Sequence, residues 1–172
     1  MSDRSHRDLT VLVLYATALG VIDSLVPRPV PFMKLGLANA AAVVAVVRYG
    51  FLKTLELNLL RVFAVALITG LLATPSFLLS VTGAVTSAVA MGSMRFVFRD
   101  RLSYAGVSVT GAVASLWMQL VVARIVLPGL PLQNIVLLLT VWGIISGAVT
   151  GLIAQAAVCR RQKTEVLHKD EC

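Results

Sequence analysis

Acidic residues are scarce in this chain: 8 aspartates and glutamates stand against 15 lysines and arginines in 172 residues. The acids fall at Asp3, Asp8, Asp23, Glu56, Asp100, Glu165, Asp170 and Glu171, and only the last two are neighbours. That scatter gives neither the carboxylate pair of general acid–base catalysis nor an acid-rich magnesium site. Cysteine and histidine are rarer, with two of each. Cys159 and Cys172 stand 13 residues apart with no histidine pairing at zinc-site spacing, and they make no disulfide framework. His6 and His168 sit in the charged termini. The phosphate-binding pattern G-x-x-x-x-G-K-[ST] is missing, so the chain does not drive itself with ATP in that manner. The Gly-x-Ser-x-Gly of serine hydrolases is missing too. No strand pattern, long repeat or low-complexity segment occurs. The first apolar run ends at Pro27 with no small-x-small cleavage site before it, so it reads as a span and not as a cleavable signal.

What is present is apolar. Hydrophobic residues make up 58% of the chain and mean hydropathy is +0.90. The composition is that of an integral membrane protein, all-α and of one domain. The net charge of +7 does not point to nucleic acid, because the basic residues stand at the ends of apolar runs, where membrane proteins carry them.

The runs divide the chain into six expected transmembrane helices over residues 9–26, 36–47, 55–73, 77–94, 104–127 and 134–158. Residues 1–8 form a short polar terminus and residues 159–172 a charged tail. With six spans, Arg4, Arg7, Arg48, Lys53, Arg95, Arg99, Arg101, Arg160, Arg161, Lys163 and Lys169 share one side with both termini. The positive-inside rule makes that side the cytoplasm, in a multi-pass protein of the cytoplasmic (inner) cell membrane. Arg28 and Lys34 alone occupy loops on the outer side.

Those two cations belong to the stretch VPRPVPFMKLGLANA at residues 26–40. Pro27, Pro29 and Pro31 hold it extended, since each fixes its own φ and biases the preceding residue away from helix. A stiff loop with a cation, leading into a helix start, suits capture of an anionic or polar ligand. It also suits a plain re-entry loop between membrane helices.

Polar residues within the spans are the candidate ligand contacts. Arg61 lies midway along the third span, where an arginine costs about 2.5–3.5 kcal/mol on insertion scales and calls for a partner or a wet cavity. Asn58 lies on the same helix face. Asp23, the one acid of the first span, can pair with Arg61, Lys34 or Arg28. Glu56 pairs more simply with Lys53. Ser115 and Gln119 share a face of the fifth span, with Arg124 nearer its outer end. Asn39 follows the loop. Except for Glu56, these residues gather in the outer half, as around a pocket open to the outside. Asn58, Ser115 and Gln119 serve equally well as glue between helices, at roughly 0.6 kcal/mol each.

Small residues recur at four-residue spacing: Ala16, Gly20 and Ser24; Ala84, Ala88 and Gly92; Gly143, Gly147 and Gly151. Such stripes let helix backbones approach closely in lipid. Most serve packing within one chain, and one can serve as a docking face for another subunit.

Several blocks carry a resemblance: PFMKLGLANA at 31–40, LRVFAVALITGLL at 60–72, PSFLLSVTGAVTSAVAM at 75–91, GVSVTGAV at 106–113, and Gln119. Over roughly residues 10–155 the chain resembles the Gx transporter family, also labelled heptaprenyl diphosphate synthase component I. That family is grouped with the substrate-binding S components of energy-coupling factor (ECF) vitamin transporters. Ser115 and Leu116 stand where the family pattern has a His-Asn pair. The resemblance implies a six-helix S-component fold with an outward ligand pocket. It implies a transmembrane coupling subunit and cytoplasmic ATPases as partners, docked through the first-helix stripe Ala16, Gly20 and Ser24.

The resulting expectation is a non-enzymatic substrate-capture subunit of an importer. It takes a small vitamin-like or isoprenoid- or redox-cofactor-related molecule and needs no metal or cofactor. Asp23, Lys34, Asn39, Asn58, Arg61, Ser115, Gln119 and Arg124 are its binding residues. The alternatives are a non-catalytic membrane component of a polyprenyl (heptaprenyl) diphosphate synthase, for which the acid-rich magnesium site of prenyl-diphosphate chemistry is missing, and a structural membrane subunit.

Overall fold

A chain this apolar has to satisfy its backbone hydrogen bonds within its own segments, and helix is the form that does so. The computed structural model describes residues 2–25, 36–98, 103–126 and 136–169. These residues form five helices: α1 (Ser2–Leu25), α2 (Leu37–Thr69), α3 (Pro75–Phe98), α4 (Tyr104–Val126) and α5 (Val136–Lys169). Their ends follow local chemistry. Gly70 closes α2 with φ 71°, and Leu71 N–H returns to the Ala66 carbonyl at 2.9 Å, the bond of a Schellman motif. Pro75 opens α3, where its missing N–H costs nothing. Ser103 caps α4 by accepting from the Gly106 N–H at 3.1 Å.

Three helices, α3, α4 and the Val136–Arg160 part of α5, are long and apolar enough to cross a membrane. The apolar part of α1, Leu9–Ser24, is shorter. Large apolar side chains face outward: Leu14 is 65% exposed, Leu137 77% and Phe96 85%. Surfaces of this kind suit hydrocarbon and not water.

The number of helices differs from the six expected. Residues 36–47 and 55–73, read from the sequence as two spans, fall within the single element α2, whose helical geometry breaks at Gly50 (φ 81°, ψ −175°). That conformation is open to glycine and to almost nothing else. The break is a reversal. The Asn39 side-chain oxygen accepts from Ser87 Oγ at 3.3 Å, and Asn58 Nδ2 donates to the Ala84 carbonyl at 3.1 Å. Ala84 and Ser87 are one turn apart on α3, whereas a straight helix would hold Asn39 and Asn58 about 28 Å apart. The two halves of α2 therefore double back on each other. Thr54, fully buried, ties the second half to the corner by donating to the Gly50 carbonyl at 2.9 Å.

Two apolar clusters hold the helices together. The larger joins Leu9 and Ala16 of α1 to Ala41–Val46 and Leu57 of α2, Met91, Val107 and Ala154. The smaller joins Leu79, Leu116, Leu120, Ala123 and Leu139 of α3, α4 and α5. The Gly143–Gly151 stripe is spent inside the chain. A Cβ on Gly147 would lie 2.8 Å from Val109 Cα, and one on Gly151 2.5 Å from Ala105 Cα, so α5 rests directly on the α4 backbone. At Gly143 the same atom would meet only Leu116 Cδ1, at 3.6 Å.

Gly147→Ala should therefore lower the thermal unfolding midpoint in detergent, by overpacking worth about 1–3 kcal/mol. Gly143→Ala, made in parallel, should be neutral or slightly stabilising through helix propensity. Equal losses at both positions would show that backbone contact does not set this interface.

Candidate functional site

The helices leave a cavity of about 250 Å³ to which all five contribute. From α1 come Gly20, Asp23 and Ser24, and from α2 and the residue before it Gly36, Asn39, Arg61, Val62, Val65, Ala66 and Thr69. The turn and α3 supply Leu71, Ser76, Phe77, Ser80, Gly83, Ala84 and Ser87. The last wall is Ala112, Ser115, Leu116 and Gln119 of α4 with Trp142, Gly143, Ser146 and Thr150 of α5. The lining is thus rich in hydroxyls, inside a protein whose outer surface is apolar.

The charged pair of the lining is Asp23 and Arg61. Asp23 is 7% exposed and Arg61 half-buried. They interact electrostatically across the α1–α2 packing, each supplying the compensation that a charge away from water requires. The approach of α1 depends on Gly20, where a Cβ would lie 2.9 Å from Val65 Cγ2.

The amides form a second group. Gln119 Nε2 donates to Ser115 Oγ at 2.9 Å, one turn apart on α4. Both press against α3 at Gly83, where a Cβ would lie 2.7 Å from Ser115 Oγ. Deeper in, Ser108 and Thr150 share a hydroxyl–hydroxyl bond of 2.9 Å between α4 and α5. Gly36, with φ 72°, backs onto α5, where a Cβ would meet Ser146 Oγ at 2.8 Å.

Of the residues expected at the site, Asp23, Asn39, Arg61, Ser115 and Gln119 line the cavity together. Asn58 does not. It is fully buried between α2 and α3, bound to the Ala84 carbonyl, with its own Oδ1 unpartnered. Arg124 is exposed on α4 outside the lining, turned away from Gln119 by the helical pitch. Lys34, Arg28 and the proline stretch lie outside the described residues.

The stripe expected to dock a partner faces the chain's own interior. Ala16 is fully buried, Gly20 backs onto Val65, and Ser24 lines the cavity while donating to the Val21 carbonyl at 2.7 Å. Ala16 is thus taken up by packing within the chain, while Gly20 and Ser24 stay part-exposed.

Sequence reading missed Ser76, Ser80 and Ser87 of α3, Trp142, Ser146 and Thr150 of α5, and Thr69 and Phe77. A signal was there: Ser76, Ser80, Gly83 and Ser87 recur at helical spacing, as do Trp142, Ser146 and Thr150. Singly, each hydroxyl reads as one that bonds its own helix.

Chemically the arrangement can hold a small polar molecule. Its described residues supply one carboxylate, one guanidinium, two amides and several hydroxyls. Among the described residues, no group of three or more His, Cys, Asp or Glu is placed to hold a metal ion.

No curated protein and no solved structure matches the chain. A family model does, over residues 12–157, which takes in every described residue of the cavity lining. By that match the chain belongs to the family described as heptaprenyl diphosphate synthase component I.

Proposed function

We propose that this protein is the substrate-capture subunit of a membrane importer, similar to the S components of ECF transporters. Its ligand is a small vitamin-like or cofactor-related molecule. The observation that carries this reading is the cavity of about 250 Å³ holding Asp23 and Arg61. Burying a charged pair beside hydroxyls and amides is costly in an apolar bundle, and intramembrane ionisable groups mark sites of function. The role assigned is binding, with Asp23 the one acid among the described lining residues. Because the chain carries no nucleotide-binding motif, energy comes from partners, a coupling subunit and cytoplasmic ATPases.

The same reading makes the two halves of α2 two crossings, for six in all, with both termini in the cytoplasm. The reversal at Gly50 supports it, and so does the gathering of lysine and arginine on one side. The family description favours a second reading, a non-catalytic membrane component of a polyprenyl diphosphate synthase. Purification with native partners separates them: co-purifying ATPases support the importer, a soluble prenyltransferase the synthase.

Arg61→Ala should insert into the membrane yet weaken ligand binding roughly tenfold or more, as expected for loss of a charged contact. Unchanged affinity for the molecule retained by the wild type would sink the assignment. For topology, an impermeant maleimide should label the exposed Cys159 only after cells are opened. Labelling of Cys159 in intact cells would reverse the proposed orientation.

A further inference from the structure

The lining also limits what the cavity can take, and this step rests on reading it as a binding site. A volume of about 250 Å³ falls below the roughly 300–1,000 Å³ of pockets that hold drug-sized molecules. A polyprenyl chain would overfill it and would have to run out through its open side. Among the described lining residues the charges are Arg61 and Asp23, one of each sign, already interacting with each other.

An anion placed on Arg61 would sit beside the Asp23 carboxylate, where little water screens the repulsion. A cation placed on Asp23 would meet the reverse difficulty at Arg61. A molecule with an acceptor at one end and a donor at the other meets neither, because it can lie across both groups. The amides suit the same kind of ligand. Asn39 uses its carbonyl oxygen to accept from Ser87 and retains N–H donors, whereas Gln119 uses an N–H toward Ser115 and retains its acceptor. Phe77 and Trp142 add apolar surface for a ring or short chain.

We infer that the occupant is a small molecule of zero net charge, zwitterionic or dipolar, which bridges Arg61 and Asp23, and that neither a diphosphate nor a polyprenyl chain is its ligand.

The test uses the full chain in lipid nanodiscs. Wild-type protein is incubated with a water-soluble metabolite extract and washed, and the released molecules are identified by mass spectrometry against Arg61→Ala as the blank. Pyrophosphate and geranyl diphosphate are titrated separately as defined anionic probes. The expected result is a retained molecule with zero net charge at neutral pH and no binding of either probe below millimolar concentration. Asp23→Asn should then weaken binding of the retained molecule at least fivefold. For an anionic ligand the same substitution would strengthen binding, since it removes a repelling charge, so the direction of change is decisive. A retained polyanion, tighter binding by Asp23→Asn, or micromolar binding of geranyl diphosphate would overturn the inference and leave the capture reading standing. A folded wild type that retains nothing would count against both. The charge of the retained molecule and both probe titrations need wild-type protein alone, so the inference stays refutable if Asp23→Asn does not fold.

Discussion

A guanidinium inside an apolar bundle must be compensated, and the place of Arg61 governs much of the surrounding structure. Asp23 supplies the opposite charge from a different helix. For that to happen α1 has to lie close against the second half of α2, and Gly20 opposite Val65 permits the distance. The small residues of α1 are thus tied to the charge pair. Ala16 seats the helix in the apolar cluster, Gly20 sets its spacing, and Asp23 arrives one turn later at the cavity. A larger side chain at Gly20 would separate two charges that each need the other, which couples a packing choice to an electrostatic one.

Part of the cavity's polar lining is satisfied without partners on another helix. Thr69 donates to the Val65 carbonyl at 2.8 Å and Ser80 to the Ser76 carbonyl at 2.8 Å, each within its own helix. Side chains that satisfy themselves in this way can face a cavity without an unmet hydrogen bond drawing the walls together. The amides are steadied differently, by short bridges to Ser87 and Ser115 that fix one end of each and keep the other available. Such a lining is polar toward a ligand and tolerable when empty.

Much of this was legible in the sequence, and the reasons differ by element. The exit at Arg48-Tyr49-Gly50 was visible because charge and glycine interrupt an apolar run, and Gly50 is where the helix turns back. The Lys53–Glu56 pair, read from spacing alone, closes at 2.7 Å. Asp23 and Arg61 stood out because charges are rare inside spans. The hydroxyls of α3 and α5 did not stand out, since serine and threonine are common in apolar helices as self-bonding residues and only their shared face marks them. Which partner covers the α1 stripe was not legible either. Small-residue spacing shows that a helix packs closely on something, and only the fold shows that the something is α2.

Asn58 and Arg124 show the remaining limit. Helical spacing gives the direction in which a side chain leaves its axis, and it put Asn58 near the face of Arg61. It does not give depth. Asn58 is one turn nearer the Gly50 corner, where α2 and α3 touch, and it is enclosed between them. There it holds the carbonyl of Ala84, a residue that does line the cavity. It acts on the site through the backbone of another helix. Arg124 fails on direction instead, for five residues beyond Gln119 is a rotation of about 140° from it, enough to carry the side chain out of the bundle. A polar residue in an apolar helix joins a cavity only where angle and depth agree, and depth is set by how closely the neighbouring helices pack. In this chain glycines at Gly20, Gly83 and Gly147 set that closeness, so the residues that determine the shape of the site include those with no side chain to offer it.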